Sequence, residues 1–268
     1  MGRGIEDRYA RCSAYWDSHL TLTRTFIDQH AEPAKRVAVL GAGRLLDLNL
    51  ARLLERAEEV HLFDADPQCI KAWRAAAPRE FKKRLIPRIE DVTGCLAEWS
   101  RHLKRAARAG TLRDYIDSLG AHAPMWSEEH FDGVVSLNLA GQIPLYWRDR
   151  VLSVRGDLSD EEAEALTNSY ERLQVAHLAA VAKAATQWAI MITDVEYYFY
   201  ESQRCDWEVE EALHGTARRI FAELGNGQES TSSDCWLWHL APQFIESDGE
   251  GEIHRVEARV WHNPTRLK

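Results

Sequence analysis

Apolar residues change their period several times along the chain, and each change marks an element. Val37-Ala38-Val39-Leu40 is apolar at every position, which suits a parallel strand covered on both faces. After Gly41-Ala42-Gly43 the period lengthens. Leu46, Leu50, Leu53 and Leu54 recur at helical spacing, with Arg52, Glu55 and Arg56 as the polar face. A second apolar run, Val60 to Phe63, ends in Asp64, and Asp66-Pro67 reads as a helix start with Asp66 as N-cap. Phe131 to Leu139 predicts a further strand, and Trp188 to Thr193 another that ends at Asp194. Between them, Ser159 and Glu162 form a capping box ahead of Leu166, Tyr170, Leu173, His177 and Val181 at helical spacing. A helix is expected from Asp206 to Leu224, with Val209, Leu213, Ala217, Ile220, Phe221 and Leu224 on one face. Cys235 to Leu240 and His254 to Trp261 read as strands, joined by the turn chemistry of Ser247-Asp248-Gly249-Glu250-Gly251 into an antiparallel hairpin. Arg8 to His30 reads as a helix that precedes all of these.

The alternation of strand and helix predicts an α/β fold, and no linker interrupts it, so residues 1–268 are expected to form one domain. Residues 1–31 are its N-terminal helical cap. Extra length sits at 95–129 and 143–186, expected as helical insertions where loops leave the carboxyl ends of strands and can shape a substrate pocket.

The first strand–helix–strand unit carries the clearest chemistry. Gly41 and Gly43 let the backbone turn tightly and bring main-chain N–H groups close to a ligand. Asp64 follows about twenty residues later, where such a unit places an acid beside a ribose. The third glycine of a dinucleotide site is replaced by Leu46, and no Gly-Lys-Ser/Thr phosphate loop occurs. A ligand with ribose and adenine but no phosphate fits these pieces, and S-adenosylmethionine is the commonest such ligand.

At these residues the chain resembles the class I (Rossmann-like) S-adenosylmethionine-dependent methyltransferases. The resemblance rests on Val37 to Gly43 and on Leu62-Phe63-Asp64-Ala65-Asp66-Pro67. It extends to Ile89-Glu90-Asp91-Val92 as a third-strand end and to Phe131-Asp132-Gly133-Val134-Val135-Ser136-Leu137-Asn138-Leu139 as the fourth-strand motif. It implies a three-layer sandwich around a mostly parallel seven-stranded sheet that ends in an antiparallel hairpin. It also implies a cofactor site at Gly41, Ala42, Gly43, Asp64, Ala65, Asp91, Val92, Asn138 and Leu139. Two positions depart from the family pattern: Val39 stands where an acid is common, and Leu45 where the loop's third glycine is usual. A non-catalytic relative that keeps the fold as a binding module, and a nicotinamide-dependent oxidoreductase, are the alternatives.

Composition narrows the partners. The net charge of −9 and a pI near 5.7 argue against a broad phosphate-binding surface. The basic exceptions are Lys82-Lys83-Arg84 and the helical stripe Arg101, Lys104, Arg105 and Arg108, which reads as a solvated face. Asn138 continues as Leu139-Ala140-Gly141, without the Pro-Pro-Tyr of enzymes that methylate base amino groups, so a small-molecule acceptor is expected and nucleic acid is not. Cys12, Cys69, Cys95, Cys205 and Cys235 are scattered with no Cys-x-x-Cys, so neither a metal site nor a disulfide framework is expected. The charged Met1 to Arg8 segment lacks an apolar leader, no apolar run reaches the length of a membrane helix, and the expected location is cytoplasmic. Methyl transfer asks mainly that the acceptor be held in line, so no catalytic acid or base is assigned. Substrate candidates are Tyr15, Trp16 and His19 on the first helix, Tyr146 after the fourth strand, and Glu196 and Tyr197 after the fifth. Each reads equally as packing.

Overall fold

The computed structural model describes residues 2–119, 124–223, 231–246 and 249–263. Strands β1 (Ala34–Leu40), β2 (Ala57–Asp64), β3 (Leu85–Ile89), β4 (Phe131–Leu137) and β5 (Ala185–Glu201) run parallel in the order β3-β2-β1-β4-β5. The sheet continues antiparallel through β8 (Gly251–His262) and β7 (Ser232–Ala241). This is the Rossmann-like α/β sandwich with its terminal antiparallel hairpin, as the sequence predicts. Residues 247 and 248 of the predicted turn lie outside the described residues.

The sheet has eight strands where seven are expected. The additional one, β6 (Asp206–Glu211), pairs antiparallel with the far end of β5. It occupies the first part of the helix predicted over Asp206–Leu224; only α8 (Gly215–Ala222) is helical there, and Leu224 lies outside the described residues. Asp206-Trp207-Glu208-Val209-Glu210 alternates with period two, and β5 supplies an edge for it by running through Tyr197-Tyr198-Phe199-Tyr200, well past its predicted end. Aromatic residues favour that extended backbone, and pairing then overrides the helical reading.

Helices cover both faces. On one, α1 (Gly2–His30), α2 (Leu50–Arg56) and α3 (Cys69–Ala76) bury Trp16, Leu20, Ile27, Leu54 and Trp73 against Val37, Val39, Leu62, Ile190 and Val256. Trp236 and Trp238, alternating along β7, both belong to this face. On the other, α7 (Asp160–Ala184) and α8 set Leu178, Val181 and Phe221 against Ala38, Leu40, Val134, Met191 and Trp261. A satellite core joins α4 (Leu96–Ala109), α5 (Leu112–Ser118), α6 (Leu139–Leu152) and α7 through Trp99, Leu103, Ile116, Trp147 and Leu173. Because Leu96, Trp99, Leu103 and Ala106 point inward, Arg101, Lys104, Arg105 and Arg108 are left on the exposed side of α4. Among the described residues no helix is long and apolar enough to cross a membrane.

Two helix starts differ from expectation. α2 begins at Leu50 behind the N-cap Asn49, because Leu45 adopts a left-handed backbone (φ 63°) and the chain needs several more residues to enter the helix. α3 is assigned from Cys69, although Asp66 still covers its first turn through Gln68 N–H (2.9 Å). The capping box of α7 forms as predicted, with Glu162 N donating to Ser159 Oγ and Ser159 N to Glu162 Oε2.

Gly133 in β4 lies under the Trp188 indole, and a Cβ there would sit 2.0 Å from Trp188 Cζ2. Trp188 is wholly buried, so it has no room to retreat. Gly133→Ala is expected to lower stability by about 1–3 kcal/mol, read as a lower denaturant midpoint with an unchanged slope.

Candidate functional site

The strand order reverses at β1, which pairs with β2 on one side and β4 on the other. Loops leaving the carboxyl ends of β1 and β4 therefore diverge, and in open α/β sheets ligands bind in the crevice between them. Gly41 (φ 72°) and Gly43 (φ 48°) make the turn after β1 in a conformation that other residues rarely adopt. Gly41 N and Ala42 N both donate to Phe63 O (3.0 and 3.1 Å). Gly43 N donates to Asp64 Oδ2 (2.9 Å), while Asp64 Oδ1 accepts from Asp66 N (2.8 Å). Trp73 Nε1 in α3 closes the unit by donating to Gly43 O (2.8 Å). The glycine turn and the acid are thus one hydrogen-bonded structure. Each carboxylate oxygen keeps a lone pair for a further donor such as a ribose hydroxyl.

Across the switch point, Asn138 holds a left-handed conformation (φ 53°), donates its N–H to Ile192 O and starts α6. It is 6% exposed, and its Oδ1 has no partner. Leu139 lies against Gly41 so closely that a Cβ on Gly41 would meet Leu139 Cγ and Leu137 O at 2.9 Å. The β1 and β4 loops therefore touch at the floor of the crevice. Ala65 is exposed beside Asp64. Asp91 accepts from Thr93 N, Thr93 Oγ1 and Ala97 N, bracing the start of α4, and buried Val92 accepts from Trp126 Nε1. Asp91 and Val92 lie one strand outward, after β3. The loop after β1 also borders an open groove of about 630 Å³ lined by Arg44, Pro67, Gln68 and Lys71.

The substrate candidates do not form one patch. His19 is wholly buried, stacks on Trp238 at 4.1 Å, and accepts at Nδ1 from Trp236 Nε1 (2.9 Å). Its Nε2 lies 3.3 Å from Asp47 Oδ1, and Arg24 donates to Leu46 O, so α1 is tied to the chain just beyond the glycine turn. Trp16 packs edge-on against Trp238 and donates to Leu240 O. Tyr15 is 45% exposed beside His239. Tyr146 belongs to the satellite core. Glu196 is held ionised by the Tyr198 hydroxyl and by Arg255, whereas its neighbour Tyr197 turns to the opposite face and donates to Gly141 O (2.9 Å).

Sequence reasoning places Asp194 at the end of the fifth strand near Tyr197 but misses its buried partners, His254 and Glu252. Asp194 Oδ1 is 3.2 Å from His254 Nδ1, and His254 Nε2 is 2.7 Å from Glu252 Oε1. Asp194 is fully buried, and its Oδ2 has no hydrogen-bond partner. Burial alone would push the His254 imidazole down, but the charge of Asp194 and the contacts to both acids hold it up, at about 9. Burial and the charge of Asp194 both raise the Tyr197 phenol. No local signal marks His254, since pairing of β5 with β8 brings it there from far along the chain. Among the described residues no group of three or more His, Cys, Asp or Glu could hold a metal ion. His177 is buried against Ser136 Oγ (2.8 Å), and burial pushes its imidazole down to about 4.

No family model matches the chain, and no curated protein does. Among solved structures it is similar to a candidate methyltransferase from Bacillus halodurans, at 8% identity and a TM-score of 0.47, covering 92% of this chain and 100% of that one. A candidate RNA methyltransferase from Pyrococcus horikoshii aligns at 13% identity and a TM-score of 0.45, over 92% of this chain and 82% of that one. The N-methyltransferase NodS from Bradyrhizobium japonicum aligns at 10% identity and a TM-score of 0.42, over 92% and 96%. Likenesses this distant carry no functional argument.

Two of the buried histidines, His254 and His177, bracket a stability optimum. His254, raised above its ordinary 6.5, contributes stability that is complete below that pH and is lost as pH climbs through about 9. His177, lowered, stays neutral in the fold, so stability is lost as pH falls from 6.5 toward about 4. Denaturant midpoints measured across this range are expected to peak near 6.5, with His254→Gln flattening the alkaline limb and His177→Gln the acid one.

Proposed function

We propose that the chain binds S-adenosylmethionine at the β1–β4 switch point and directs its methyl group to a small-molecule acceptor. The observation that carries this reading is the Gly43 N–H bond to the Asp64 carboxylate. It holds a close-approach turn and a ribose acid in one rigid unit at the crevice where α/β sheets take ligands. In this reading the main chain of Gly41, Ala42 and Gly43 faces the cofactor, Asp64 and Ala65 take the ribose, Asp91 and Val92 border the adenine, and Asn138 and Leu139 form the floor. Residues 1–268 act as one domain, with 1–31 as the cap.

A buried polar atom left without a partner supports the fit. Asn138 Oδ1 is an acceptor without a hydrogen-bond donor in the protein, and it belongs to the loop after β4 at this end of the sheet. A ligand with an ammonium group satisfies such atoms, whereas leaving a buried acceptor unpaired costs about 1–3 kcal/mol. When bound, the cofactor supplies a methyl group on a sulfonium, electrophilic enough that positioning contributes most of the acceleration. The protein's part is then to exclude water and fix the acceptor. Trp16, His19 and Trp238 under α1 do the first, and Tyr197, pinned to Gly141 O, fixes one wall. The acidic surface favours a small molecule over a polyanion.

A non-catalytic binding module is the second reading. Val39 in place of the usual acid, and Leu139 packed against Gly41, favour it.

S-adenosylhomocysteine at a hundred times its dissociation constant is expected to stabilise the protein by about 2.7 kcal/mol, measured by thermal shift. Asp64→Ala should remove most of that gain. No stabilisation of the wild type overturns the reading; stabilisation without methyl transfer to any of a panel of amines, alcohols and thiols selects the binding module.

A further inference from the structure

The first turn of α6 is held from outside its own helix. Asn138 stands at the N-cap, where such a side chain ordinarily accepts from the second or third helical N–H, yet it makes no capping bond. The third of these N–H groups, that of Gly141, donates instead to buried Thr193 Oγ1 in β5 (2.9 Å), and Asn138 Oδ1 stays open. The carbonyl side of the turn is equally dependent. Ala140 O would take its helical hydrogen bond from residue 144, which is Pro144 and has no N–H. A proline ring also crowds the carbonyl four residues back, so this buried oxygen needs a donor from elsewhere. Gln174 of α7 supplies one, with Nε2 at 2.9 Å.

Gln174 is wholly buried, and both ends of its amide are committed. Nε2 also donates to Ala212 O (2.6 Å), while Oε1 accepts from His214 N (2.9 Å). Two carbonyls at one end and an N–H at the other leave a single orientation for the amide. Ala212 N in turn donates to Val195 O of β5. One side chain thus ties the turn that carries Asn138 and Leu139, at the floor of the crevice, to the chain that joins β6 to α8.

We propose that Gln174 is a positioning residue of the cofactor site: by replacing the hydrogen bond that Pro144 removes, it sets where Asn138 Oδ1 and Leu139 stand. The effect on cofactor rests on the reading given above; the pairing of Gln174 with Pro144 does not. A glutamine that only satisfied buried groups would act on stability alone. The proline separates the two roles, because an N–H restored at residue 144 makes one Gln174 bond redundant and leaves the other two as they are.

Two measurements on the wild type, Gln174→Met, Pro144→Ala and the double variant test this: S-adenosylhomocysteine affinity by calorimetry, and amide exchange of residues 138–142 by NMR without ligand. Gln174→Met is expected to weaken S-adenosylhomocysteine about tenfold and to speed exchange at 138–142. The double variant is expected to match Pro144→Ala in exchange, and in affinity to within about twofold. Both Gln174 variants lose the Ala212 and His214 bonds, so both should melt at a lower temperature than their parents, whatever their affinity. Unchanged affinity and exchange in Gln174→Met overturn the proposal. So does a double variant that fails to fold, or that stays about tenfold weaker than Pro144→Ala, since Gln174 would then act through the 212–214 segment. If Gln174→Met alone does not fold, the comparison of Pro144→Ala with the double variant decides. A wild type that does not respond to S-adenosylhomocysteine overturns the cofactor reading, and the exchange measurements then decide whether Gln174 positions this turn.

Discussion

One hydrogen bond organises the carboxyl edge of this sheet: the Gly43 amide donating to the Asp64 carboxylate. It joins the loops after two adjacent parallel strands, and it does so only because Gly41 and Gly43 turn through positive φ and present N–H groups toward β2. Trp73 braces the turn from the other side through its carbonyl. With the turn fixed, the chain beyond it is set as well, including the left-handed Leu45 and the late start of α2. Asp47 then lies where it can meet His19, and α1 is anchored across the sheet.

That anchoring couples two layers of the proposed site. His19 stacks on Trp238, Trp238 meets the His254 ring edge-on, and His254 reaches Asp194 at the end of β5. Four segments distant in sequence therefore share one buried strip of rings and charges. Such networks are costly when incomplete, and several of their atoms here lack a protein partner. Asn138 Oδ1, left open where the loops after β1 and β4 diverge, is the physical basis for placing ligand chemistry there.

How much of this could be read from the sequence depended on how local each determinant is. The apolar run before Gly41, the spacing to Asp64, the capping box at Ser159 and the turn residues between the last two apolar runs are short-range patterns, and from them follow the parallel core, the glycine–acid unit and the terminal hairpin. β6 reads as helix because Asp206 to Glu211 carries a period-two pattern and also Val209, which with Leu213 just beyond it fits a helix face. Only the edge of an unusually long β5 decides between them. The role of Asp47 and the whole Asp194–His254–Glu252 cluster were illegible for a related reason: their partners come from strand register and helix docking, not from neighbouring residues. The basic stripe on α4 was legible as a solvated face because its complement, Leu96, Trp99, Leu103 and Ala106, sits in the same helix.

The docking of α1 onto β7 has a consequence for synthesis. Trp16 and His19 leave the ribosome roughly two hundred residues before the indoles they bury against, Trp236 and Trp238. Until β7 has been synthesised the apolar side of α1 lacks this partner, and contacts of such long sequence separation form slowly. The nascent protein is thus open to misassociation at α1, and the docking of the β7–β8 hairpin is the event that ends that exposure.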